Sequence, residues 1–111
     1  GAWDLARIMA LGLDSEVRRE NQDQLASDYY SGLVRCGVLD YTPDDLDYDL
    51  AMGTIASQMI MAIAIVGTDP ALIQAECEHL GVDWKEVFIL RGDRMLQDVG
   101  ALDFLKAISN G

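Results

Sequence analysis

Basic residues are scarce in this chain. Eight lysines and arginines stand against nineteen aspartates and glutamates, a formal net charge of −11 over 111 residues. Nucleic acids and anionic membranes recruit cationic surfaces, so the expectation is no nucleic-acid partner and no membrane partner. Cysteine is rare as well. Cys36 and Cys77 are too few for a disulfide framework and both lie in helical patterns, which reads as buried free thiols of a cytoplasmic protein. With only two prolines and 50% hydrophobic residues, the composition excludes disorder. The single histidine, His79, removes most acid–base and metal-binding arrangements. No basic leader with a small-residue cleavage site is present, and neither is a G-x-x-x-x-G-K-S/T or G-x-G-x-x-G loop to hold phosphate.

What remains is helix. A chain of 111 residues is read as one domain able to bury roughly 65% of its unfolded surface. Its punctuation predicts an all-α fold of about six helices, with no good strand. The first spans Asp4 to Leu11, with Asp4 as N-cap and Leu5, Ile8 and Met9 on one apolar face. It begins almost at Gly1, with no starter methionine or preceding strand, so the chain is expected to be the later part of a longer one. Asp14 or Ser15 caps a second helix ending near Cys36, closed by Gly37. Its expected apolar face is Val17, Leu25, Tyr29, Leu33 and Cys36, while Glu16, Arg18, Arg19, Glu20 and Asp23 are expected in solvent.

The third helix has the strongest start signal. Thr42 serves as N-cap, Pro43 takes the first helical position, and Asp44 and Asp45 sit on the positive end of the dipole. It is predicted to run to Val66, about 35 Å. From Ile55 to Val66 it is apolar almost all round. That run falls short of the 20 residues of a membrane span and carries Thr54, Ser57 and Gln58 at one end. It is therefore expected to be a central helix wrapped by the others, with Met52, Met59 and Met61 as core filler. Thr68 or Asp69 with Pro70 starts a fourth helix to about Leu80. Asp83 caps a fifth, through Trp84, Val87, Phe88, Met95 and Leu96, with Gly92 as a weak point. A short sixth, from Ala101 to about Ile108, packs Leu102, Leu105 and Ile108.

Chemical motifs are sparse. Asp45, Asp47 and Asp49 imitate the first half of a calcium loop, but Leu50 and Ala56 occupy the positions that require glycine and glutamate. On a helix the three carboxylates diverge. Glu76-Cys77-Glu78-His79 contains the E-x-x-H spacing of di-iron bundles, yet those sites need a second such motif and a second histidine. No catalytic, cofactor-binding or metal-ligating residue is assigned.

The order of several short segments is informative. Asp4-Leu5-Ala6 opens the chain, followed by Leu13-Asp14-Ser15-Glu16-Val17-Arg18-Arg19. Next come Asp28-Tyr29-Tyr30-Ser31-Gly32-Leu33, Gly37-Val38 and Tyr41-Thr42-Pro43-Asp44-Asp45. Near the end stand Arg91-Gly92-Asp93-Arg94-Met95 and Asp98-Val99-Gly100-Ala101-Leu102-Asp103-Phe104-Leu105. Together they resemble the C-terminal helical subdomain of the aminoglycoside phosphotransferase and choline kinase-like superfamily, in its ecdysteroid-kinase-like branch of small-molecule kinases. The resemblance covers nearly all of the chain. It implies an ATP-dependent phosphotransferase whose nucleotide lobe, H-x-D-x-x-x-x-N catalytic loop and metal-binding aspartate lie upstream of Gly1. The helical part would form one wall of the pocket for a small-molecule acceptor and would not be catalytic alone; ATP and magnesium would belong to the upstream lobe. Asp4 would brace the catalytic region, unless it is a plain N-cap. A stand-alone helical protein that binds a partner or small ligand through apolar helices is the alternative. In either case a cut face carrying Trp3, Leu5, Ile8 and Met9 is expected to drive self-association, most simply as a dimer.

Overall fold

Six α-helices and two π-helical turns make up the chain, with no strand; the computed structural model describes all 111 residues. They are α1 (Ala2–Arg7), α2 (Ser15–Arg35), α3 (Pro43–Gly67), α4 (Pro70–Leu80), α5 (Arg91–Asp98) and α6 (Ala101–Asn110). One π turn, Ile8–Gly12, extends α1, and the other, Glu86–Leu90, leads directly into α5. The all-α class and the long apolar helix packed among others are as the sequence predicts.

Cap chemistry explains the boundaries. The Asp45 amide donates to Thr42 Oγ1 at 3.1 Å while the Thr42 amide donates to Asp45 Oδ2 at 2.7 Å, so each end of the first turn satisfies the other. Asp69 accepts from the Ala71 amide at 2.9 Å, with Pro70 pre-set for the helix. Asp83 accepts from the Lys85 amide at 2.9 Å. Gly37, Gly81 and Gly100 take positive φ, a conformation that disfavours other residues, and so reverse the chain after α2, α4 and α5.

The core lies where α1 crosses the first half of α3. Ala2, Ala6, Met9 and Ala10 from the first helix meet Leu46 and Leu50 from α3 and Met95 from α5. Small residues set the distance: a Cβ on Gly53 would come within 2.9 Å of Ala6 Cβ and 3.0 Å of Trp3 Cα. Thr54 and Ser57, both buried, return their hydroxyls to the carbonyls of Leu50 and Gly53 at 2.7 and 2.8 Å, so no polar atom of theirs is stranded.

Several expectations need correction. Only the first part of α3 is central: its buried residues end at Ser57, and Met59, Ile60, Ile63 and Val66 are exposed. Met59 is therefore not core filler. The reason is tertiary: α1, α5 and α6 cover α3 near its start, α4 turns away after a two-residue link, and no helix packs along α4. Arg18, expected in solvent, is only 1% exposed, and Val17 and Cys36 are exposed instead of buried. Leu102, Leu105 and Ile108 also face outward; α6 is seated through Ala101 and through Phe104, whose ring meets that of Tyr48 edge-on at 5.8 Å. Gly92 does not weaken α5. It is buried, and its missing side chain makes room for Gln58.

Candidate functional site

Three of the six ionic contacts join the start of α2, or the cap residue just before it, to α5, across about 80 positions of the sequence. Buried Arg18 donates to Asp98 Oδ2 at 2.6 Å and to Gln22 Oε1 at 2.6 Å, while Arg19 Nε donates to the same Asp98 oxygen at 2.8 Å. Burial alone would raise the Asp98 carboxyl. Hydrogen bonds from Arg19 and Arg18, with their charges, outweigh it and hold the group below the usual carboxylate range. Arg19 is raised in turn, first by its hydrogen bond to Asp98 and then by that residue's charge. One helical turn earlier, Arg94 holds both oxygens of Glu86 at 3.0 and 3.1 Å and reaches Ser15 Oγ at 3.3 Å.

Arg91 completes the seam. It donates to the Leu11 carbonyl at 3.2 Å and bonds the Asp14 carboxylate. This matters because π turns leave backbone carbonyls without ordinary helical partners. Leu11 O, in the first π turn, is taken by Arg91. Ile89 O, in the second, is taken by Gln58 Nε2 at 3.1 Å. Both irregular turns are thus held from other elements by long polar side chains. Arg91 Nε and Gln58 Oε1 are buried without partners. The arginine seam was not legible as a site, because Arg18 and Arg19 occur in an ordinary polar run and Asp98 is distant in sequence.

Asp4 is not an N-cap. It is the third residue of α1, its carboxylate accepting from the Gly1 nitrogen at 3.2 Å and standing 3.9 Å from Arg7. Of the expected association face, Met9 is fully buried and Leu5 half-buried; Trp3 and Ile8 point outward. The three aspartates at the start of α3 do not converge. Asp45 is engaged by Thr42, Asp49 accepts from Tyr41 Oη at 2.7 Å, and Asp47 is exposed. Burial, then the Asp49 hydrogen bond, pushes the Tyr41 phenol up. His79 and Glu76 are exposed on α4, and no group of three or more potential metal ligands forms.

The concave feature with the most apolar lining is an open groove of about 570 Å³ along α5 and α6. Ile55, Leu96 and Leu105 contribute apolar surface, and Asp93, Asp103 and Lys106 contribute charge. Its size falls within the range of small-molecule sites, which run from about 300 to 1,000 Å³. It can hold an organic molecule against an apolar surface. By length and composition α3 is also apolar enough to cross a membrane, with 28% of its most apolar stretch buried. Compared with known proteins, the chain matches no family model, no curated protein and no solved structure.

Proposed function

We propose that this chain is the acceptor-side helical part of a cytoplasmic small-molecule phosphotransferase, supplying a binding wall and no catalysis of its own. One observation carries the reading. Three of the segments that resemble the kinase subdomain meet in space: Asp14 to Arg19 lie against Arg91, Arg94 and Asp98. Residues so used maintain one packed unit, which is what a helical subdomain needs if another lobe supplies the nucleotide and catalytic loop. The α5–α6 groove is the surface a small acceptor would meet. Asp4, exposed at the start of α1, would brace the catalytic loop of that lobe.

The test begins with the DNA upstream of the Gly1 codon. An open frame encoding H-x-D-x-x-x-x-N is expected, and the longer product should bind Mg–ATP while the 111-residue chain alone should not. A start codon with a ribosome-binding site at Gly1, or micromolar Mg–ATP affinity of the short chain by calorimetry, would sink the proposal. The first outcome favours a stand-alone helical module, a reading supported by the exposed apolar side of α3.

A further inference from the structure

The molecule exposes too much surface for its mass. Its accessible area is 7112 Å², whereas a compact monomer of 12.2 kDa exposes roughly 6,100 Å². The excess, on the order of 1,000 Å², is close to the ~800 Å² that each partner gives to a standard protein interface. Part of the open surface is an apolar stripe. Met59, Ile63 and Val66 recur at helical spacing on the side of α3 opposite Leu46, Leu50 and Ser57. Ile63 is 69% and Val66 88% exposed, and beyond them Leu72 and Leu80 of the unpacked α4 are also open.

We propose that this outward stripe of α3 is the interface between two copies of the chain. Charge selects that occupant. No ionisable residue lies between Asp49 and Asp69, so two stripes can meet without bringing together the acids of a molecule carrying −11. The other open apolar spots carry charge: Trp3 and Ile8 are interrupted by exposed Asp4 and Arg7, and Leu102, Leu105 and Ile108 of α6 by exposed Asp103 and Lys106. An anionic bilayer would be repelled by Asp69, Glu76 and Glu78, which follow the stripe directly. A two-fold axis across α3 lays each stripe on its counterpart, with Ala62 beside Ile63 letting the helices approach closely.

Sedimentation equilibrium of the 111-residue chain, from low to high micromolar concentration and at two salt concentrations, tests the proposal. A monomer–dimer equilibrium is expected, strengthened by salt. Ile63→Glu and, separately, Val66→Glu should each weaken it by about tenfold or more, while Ile8→Glu leaves it unchanged. Both stripe positions are exposed, so circular dichroism melts should show the variants folded. A monomer throughout would overturn the proposal, as would a dimer broken by Ile8→Glu and indifferent to both α3 variants. So would a monomer whose α3 stripe instead carries it onto phosphatidylcholine vesicles in flotation.

Discussion

Two glycines show how local geometry decides the effect of adding a methyl group. At Gly53 the new Cβ would meet Ala6 Cβ and the Trp3 backbone, neither of which can move without separating α1 from α3. Overpacking of this kind costs about 1–3 kcal/mol, against a gain of ~1 kcal/mol in helix propensity. Gly53→Ala should therefore lower stability. At Gly92 the clash is with the end of Gln58, 2.0 Å away, a flexible group whose hydrogen bond to Ile89 O is worth about 1 kcal/mol. The propensity gain offsets that loss, so Gly92→Ala should stay within roughly 0.5 kcal/mol of wild type. Urea denaturation of both variants checks the ranking; equal losses would show that Gln58 is as immobile as backbone.

Asp98 governs the acid response at the same scale. Its carboxyl titrates below the unfolded value of about 3.9. In the interval between the two values the unfolded chain binds the extra proton. The stabilisation is thus complete above the unfolded value and is lost as pH falls through the folded one. Asp45 acts in the same direction, lowered by the Thr42 hydroxyl and then the Thr42 amide. Asp98→Asn should cost roughly 3 kcal/mol near neutrality, because Arg18 would be left buried without its counter-charge. The variant's melting temperature should also depend less on pH through the acid range. An unchanged profile would mean that Asp98 is not the titrating group.

Among the elements, α3 is two helices in one. Its first half is held by the cap at Thr42 and by burial of Leu46 and Leu50; its second half is helical without being enclosed. Leu50→Ala should cost about 2–5 kcal/mol through lost burial and the cavity left behind. Ile63→Ala, on the open stripe, should change the stability of the monomer by less than about 0.5 kcal/mol. Thr42→Ala should cost ~1 kcal/mol by freeing the Asp45 amide. Thermal melts of the three at low protein concentration test this gradient. A large loss at Ile63 under those conditions would place the distal half in a core after all.

The whole molecule is elongated, 47 × 33 × 22 Å, with a radius of gyration of 15.4 Å against the ~13 Å of a compact chain this long. The projecting end of α3 and the detached α4 account for that shape. Such an arm, with no other helix packed along α4, has few contacts to resist opening. Native-state hydrogen exchange should therefore find α4 amides exchanging far faster than those of α1 and the start of α3. Equal protection along the chain would show that α4 is covered in solution, as it would be if the second copy reached that far.

Helix positions were legible because the signals for them are local. Thr42-Pro43, Asp69-Pro70, Gly37 and Gly81 act within one turn, and the structure places boundaries at each of them. The all-α class follows from the same signals. Which side of each helix is covered was decided elsewhere. A run that is apolar all round, such as Ile55 to Val66, has no preferred face in sequence, so only the placement of α1, α5 and α6 determined that its first turns are enclosed and its last are not. Arg18 shows the converse. A charged residue in a polar run reads as solvated, and only the return of α5 with Asp98, 80 residues later, made its burial affordable by supplying the opposite charge at 2.6 Å.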